Sequence, residues 1–110
     1  MSDSEIREAA KKFAAIIQES DTYKKYYFQR EEIKKQPELY DKVNEFRQKN
    51  FDLQNEPESE DLFDRMEAFD REYAKLREDP LVDNFLEAEL AFCRMMQEVN
   101  VLLAAEIDFE

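Results

Sequence analysis

The chain has 110 residues, a net charge of −12, and neither glycine nor histidine. Hydrophobic residues make up 43% of it and aromatic residues 13%, which suits one folded domain over residues 1–110 better than a disordered chain. The lack of glycine disfavours the tight turns of β proteins, whereas long helices need none. The lack of histidine excludes Ser-His-Asp and Cys-His catalytic groups and histidine-bearing metal sites.

The acidic excess, 28 Asp and Glu against 16 Lys and Arg, repels nucleic-acid phosphates and anionic membrane surfaces. We therefore expect no direct nucleic-acid binding and no membrane binding. The first ten residues contain no apolar signal core, and a single cysteine cannot form an internal disulfide. Both observations favour a cytoplasmic protein.

Apolar residues recur at the helical spacing of three and four in five segments. The first predicted helix runs from about Ser4 to Glu19, and Ser2 and Glu5 have the spacing of a capping box. A second helix begins near residues 20–21, either of which is a good N-cap, and stops before Pro37.

The third helix is predicted to begin at Pro37, because proline favours the first helical turn. Its apolar stripe runs from Leu39 to Leu53 and is followed by an acidic loop from Asn55 to Asp61. The fourth helix carries an unbroken series at helical spacing. That series is Leu62, Met66, Phe69, Tyr73 and Leu76.

The fifth helix is predicted to begin at Pro80, with Asp79 as its N-cap, and to continue to about Asp108. It would be about 30 residues and ~45 Å long. The sequence therefore predicts an all-α fold of about five helices, in an antiparallel bundle-like arrangement with a long C-terminal helix.

The end of this last helix is apolar on nearly all sides, and soluble monomers rarely expose such a patch. We expect it to bind a second copy of the chain, with a dimer favoured, or another protein. The alternative is a short turn near Asn100 that folds the end back onto its own core. The residues predicted for the interface are Phe85, Phe92, Met95, Met96, Leu102, Leu103, Ile107 and Phe109.

Few side chains are suited to chemistry. Carboxylates could pair as acid and base or hold iron, but a solvated acidic face is the simpler interpretation. Cys93 lies on an apolar stripe, so we expect a buried, inert thiol. Tyr23, Tyr26 and Tyr27 alternate with basic residues, which is typical of an RNA-stacking patch or of the edge of a core. We predict no catalytic residue, no metal, no cofactor and no enzymatic activity.

Three segments together resemble the YlbF/YmcA family of small helical regulators from Gram-positive bacteria. They are ESDTYKKY at 19–26, QPELYDKVNEFRQKNFDLQ at 36–54 and DPLVDNFLEAELAFCRMMQEVNVLL at 79–103. The resemblance implies an all-helical, self-associating cytoplasmic accessory factor in competence, sporulation and biofilm control. Relatives work in a complex that modulates an mRNA-processing endoribonuclease. Some carry cysteines associated with iron–sulfur clusters, a property that we do not extend to a chain with Cys93 alone.

The sequence leaves three possible functions. The residues and the resemblance favour a non-catalytic regulator or adaptor that binds other proteins. The alternatives are a carboxylate-based metal-binding protein or enzyme, and a helical holdase chaperone that binds unfolded clients.

Overall fold

The computed structural model describes residues 2–57 and 60–108, which form five α-helices and no strand. The helices are α1 (Asp3–Gln18), α2 (Asp21–Lys34), α3 (Pro37–Gln54), α4 (Leu62–Arg77) and α5 (Pro80–Ile107). The predicted all-α class and long C-terminal helix are confirmed. So are the predicted helix starts at Pro37 and Pro80.

Three helices begin with a backbone amide bonded to the side chain of the N-cap residue. The pairs are Glu5 to Ser2 Oγ at 3.3 Å, Tyr23 to Ser20 Oγ at 3.1 Å and Leu81 to Asp79 Oδ1 at 2.9 Å. Each bond satisfies an amide of the first turn that has no partner inside the helix. These starts are therefore encoded locally.

Helix α5 continues without interruption through Asn100 to Ile107. The alternative in which a turn near Asn100 folds the end back is therefore wrong. The helix ends where Asp108 adopts left-handed backbone geometry, with φ of 59°. Aspartate tolerates this region better than most residues, so it takes the position that glycine often holds.

The chain forms two compact units. Unit 2 is Arg30–Leu86, and unit 1 contains the described residues up to Gln29 and from Glu87 onward. Unit 2 has a core to which α2, α3, α4 and α5 all contribute. Its buried side chains are Ile33, Val43, Phe46, Tyr73, Val82 and Phe85.

Within unit 2, α3 and α4 form an antiparallel hairpin. Phe46 stacks on Phe69 with 5.3 Å between ring centres and meets Tyr73 edge-on at 5.2 Å. Nearer the connecting loop, Arg65 Nη2 donates to Glu56 Oε1 at 2.6 Å. The two helices thus pair near the loop and again several turns away from it.

Candidate interaction surface

None of the described side chains of unit 1 is buried. Helix α1 shows this most clearly, because Ile6, Phe13 and Ile16 are 55%, 39% and 67% exposed. An amphipathic helix normally packs its apolar face against a core. The helical spacing of apolar residues predicted an apolar stripe on this helix, but no sequence signal indicated that Ile6, Phe13 and Ile16 would be left uncovered.

The last turns of α5 are also apolar and exposed. Val101, Leu102, Leu103 and Ile107 are between 47% and 69% exposed. Successive helical residues are about 100° apart, so Val101, Leu102 and Leu103 point in three different directions. A single core on one side of α5 cannot cover all of them.

A shallow depression of about 490 Å³ follows one face of this part of α5. The residues that line it are Arg94, Gln97, Glu98, Val101, Leu102 and Ala105. Their spacing of three and four is the one at which a helix presents a continuous face to another helix. The first half of this face is polar and the second half is apolar.

Phe92 contributes to packing inside unit 1. Its ring centre lies 5.3 Å from that of Tyr23, edge to face, and 5.2 Å from that of Tyr26. Phe92, Met95 and Met96 are all half-buried. The tyrosines therefore hold α2 against α5, which favours the core-edge interpretation over an RNA-stacking patch.

Two residues of the predicted interface stand apart from the rest. Phe85 is fully buried in unit 2, with Tyr40 at 6.4 Å and the Arg47 guanidinium at 5.6 Å from its ring centre. Phe85 lies seven residues before Phe92 and therefore on the same side of α5. The first turns of α5 pack in the unit 2 core, however, and Phe85 belongs to that core. Phe109 lies outside the described residues.

Cys93 is a free, exposed thiol. The prediction of a buried thiol is wrong, for a geometric reason. Cys93 follows Phe92 by one residue and therefore lies about 100° around the helix from it. The Tyr23–Tyr26–Phe92 cluster thus does not cover the sulfur.

A polar cluster joins α3 to α4. Lys49 Nζ lies 3.1 Å from Glu45 Oε1 and 3.3 Å from Glu72 Oε1, and the Tyr73 hydroxyl donates to Glu45 Oε1 at 3.2 Å. The hydrogen bond and charge of Lys49, with help from Tyr73, hold the pKa of Glu45 below its usual range. Tyr73, then Glu45 and Glu72, raise the pKa of Lys49. Both pKa shifts favour the charged forms of Glu45 and Lys49, so the cluster serves as a structural contact between the two helices.

The described side chains assemble no metal-binding group. Within residues 2–57 and 60–108, no three of the types His, Cys, Asp and Glu come together in a way that could hold an ion. In the same ranges, no helix has both the length and the apolar character needed to cross a membrane.

Comparison with known proteins gives one family match. The family model described as "Control of competence regulator ComK, YlbF/YmcA" matches residues 6–108. The match takes in most of α1 and all of α2 to α5. Searches of curated proteins and of solved structures found no match to the chain.

Proposed function

The chain belongs to the YlbF/YmcA family, and from this premise we propose that it is a non-catalytic regulatory adaptor that binds other proteins. The family's description links it to control of the competence regulator ComK. The chain has no histidine for acid–base or nucleophilic catalysis and no glycine for a phosphate-binding loop. An adaptor needs neither, because its output comes from contacts.

One observation carries this proposal: unit 1 has apolar helices, but none of its described side chains is buried. We use the name open surface for the exposed large aliphatic and phenylalanine side chains of unit 1. They are Ile6, Phe13, Ile16, Phe28, Leu90, Val101, Leu102, Leu103 and Ile107. Full burial of an apolar side chain of this size contributes about 1.5–3 kcal/mol. Soluble monomers rarely expose large apolar patches, and such patches usually mark interaction sites.

We propose that a second copy of the chain covers the open surface and that the protein is a homodimer. A second copy brings an identical apolar surface, as a two-fold symmetric interface requires. The helical spacing along the depression on α5 supports contact with another helix. We include Phe92, Met95 and Met96 in the proposed interface, because their own chain covers them only in part. Phe109 follows the described residues in the sequence, and it belongs to the proposal only as an expectation from the sequence.

The dimer surface and the adaptor role compete for the same residues. A surface used for self-association recruits another protein only when subunits exchange. We therefore propose that a related chain or an RNA-processing factor replaces one copy in a hetero-oligomer. The acidic chain repels RNA, so we propose that any role in mRNA processing is indirect. We also propose that the chain acts in the cytoplasm as an accessory factor in competence, sporulation or biofilm control.

Affinity capture from host lysate, paired with an RNA titration at physiological salt, tests the adaptor role. Tagged wild-type protein should retain a specific protein and bind RNA weakly. Leu103→Asp should lose the captured protein, because a charge is introduced into the open surface. Phe51→Asp is the matched control, since Phe51 is 63% exposed but lies in unit 2. Tight RNA binding by the purified chain, with no protein captured, contradicts the proposal.

A further inference from the structure

A separate apolar site lies in unit 2, on one side of α4. Phe63 is 75% exposed and Met66 is 46% exposed. Residues three, four and seven apart are neighbours on a helix surface, so Phe63, Met66, Glu67 and Asp70 lie on one face. We call these four residues the α4 face.

The core packing of unit 2 leaves the α4 face uncovered. Phe69 and Tyr73 are the α4 rings that pack on Phe46 of α3. Phe63 lies about a quarter-turn around the helix from Tyr73. Met66 lies two turns before Tyr73 on nearly the same side, yet it is still 46% exposed. The α4 face therefore borders the hairpin core, and its apolar side chains remain exposed.

Negative charge is concentrated around this face. Residues 60–70 contain five Asp and Glu and one Arg, so 1 − 5 gives −4, a third of the chain's net charge of −12 in a tenth of its length. The one base, Arg65, is already paired with Glu56. Asp64, Glu67 and Asp70 form no ion pair with any residue in the described ranges. Their charge is thus available to a partner.

The charge decides between possible occupants. Nucleic acids and anionic membranes are repelled by it. A second copy placed symmetrically on this face would bring residues 60–70, which carry −4, close to the same residues of the first copy. Like charges in register disfavour such a contact. A positively charged partner gains from the same field, while Phe63 and Met66 provide an apolar anchor of the kind enriched at interface centres.

We propose that the α4 face docks a basic, amphipathic segment of a partner protein. An apolar side chain of that segment packs on Phe63 and Met66, and its Lys or Arg side chains pair with Glu67 and Asp70. The inference rests on the proposed adaptor function and names the chemistry of the partner. It also separates the two tasks, because the α4 face lies in unit 2 and the open surface lies in unit 1.

Two synthetic amphipathic peptides of equal length and identical leucine pattern provide the probes. One has Lys at its polar positions and the other has Glu. Each is titrated into the full-length ¹⁵N-labelled protein while amide chemical shifts are recorded. The Lys peptide should shift the amides of residues 60–70, with an affinity that falls as salt rises, and the Glu peptide should not.

Variants identify the face. The double variant Phe63→Ala, Met66→Ala should lower the affinity for the Lys peptide by at least about tenfold, because the apolar anchor is lost. The double variant Glu67→Gln, Asp70→Asn should also lower the affinity for the Lys peptide, and that affinity should then depend less on salt concentration. Phe51→Ala removes an exposed ring on α3, 63% exposed against 75% for Phe63, and should leave binding unchanged. All these positions are exposed, and circular dichroism checks that each variant remains helical.

Four results overturn the inference: shifts scattered over the acidic surface, equal binding of the Glu peptide, unchanged binding by the Phe63→Ala, Met66→Ala variant, or no binding of the Lys peptide. Light scattering on the same samples tests the proposed homodimer independently. A dimer that ignores the Lys peptide refutes only the α4 face. A monomer that binds it at residues 60–70 refutes only the dimer.

Discussion

The Tyr73 hydroxyl donates a hydrogen bond to Glu45 Oε1 across 3.2 Å and so ties α4 to α3. The rest of Tyr73 is in the core, where its ring meets Phe46. Lys49 lies over the same ring, 5.4 Å from its centre. One side chain therefore couples the apolar core of unit 2 to a polar cluster at its surface.

We expect Tyr73→Ala to lower the free energy of unfolding by about 3–5 kcal/mol, because it removes a buried ring. Tyr73→Phe keeps the ring and loses only the hydroxyl, so its cost should be about 1 kcal/mol or less. Urea unfolding followed by circular dichroism measures both. Equal costs for the two variants would mean that the hydroxyl, rather than the ring, dominates.

The depressed pKa of Glu45 predicts a dependence of stability on pH. A carboxyl whose pKa is lower in the folded state stabilises that state above its unfolded pKa, here close to the ordinary value of 4.5. The contribution is lost as the pH falls through the lower, folded pKa. The stability difference between wild type and Glu45→Gln should therefore be constant above about pH 4.5 and shrink below it.

That measurement compares two variants because the whole chain also titrates. Protonation of other carboxyl groups relieves the repulsion of a chain with a net charge of −12, and this acts on both variants alike. The matched control is Asp64→Asn, which removes a carboxylate outside the cluster. If the stability difference between wild type and Glu45→Gln does not change from pH 7 to pH 3, the lowered pKa of Glu45 is contradicted.

The sequence was informative wherever structure depends on neighbouring residues. Pro37 and Pro80 begin their helices because proline suits the first turn, and Asp79 caps its helix because its carboxylate reaches an amide two residues on. The all-α class follows from the same local patterns. The length of α5 was predictable because no breaking residue interrupts it.

The sequence was less informative about which apolar residues become covered. Phe85 and Phe92 share a seam of α5, yet one is fully buried and the other half-buried, since different helices lie beside them. Lys49 and Glu72 are 23 residues apart, and no periodicity predicts their contact. The exposure of Phe63 did have a signal, because Phe63 lies outside the apolar series of α4.

The exposed thiol of Cys93 predicts rapid labelling of the native chain. A small thiol reagent such as Ellman's reagent should modify one group per chain in the Leu103→Asp variant without denaturant. The reason is that the packing of unit 1 leaves Cys93 exposed. Labelling that appears only after urea is added would show that the sulfur is covered after all.

The edge-to-face pair of Tyr23 and Phe92 should contribute to the stability of unit 1. A double-mutant cycle with Tyr23→Leu and Phe92→Leu should give a coupling energy of about 0.5–1.5 kcal/mol, the usual range for such ring pairs. Thermal unfolding of a dilute sample measures it. Additive effects of the two substitutions would mean that the rings pack independently.

The open surface of unit 1 predicts self-association that a single charge disrupts. Light scattering at micromolar concentration should report a mass above the 13.3 kDa monomer for the wild type and close to it for Leu103→Asp. The carboxylate would have to lose water inside an apolar interface without a partner, at a cost that exceeds the gain from its neighbours. Phe51→Asp introduces the same charge at an exposed position of unit 2 and should keep the wild-type mass.

The melting temperature of the wild type should also rise with protein concentration, as mass action requires for an associating protein, whereas that of Leu103→Asp should not. A monomeric wild type, or a Leu103→Asp variant that stays a dimer, would place the contact elsewhere and leave the exposure of unit 1 without this explanation.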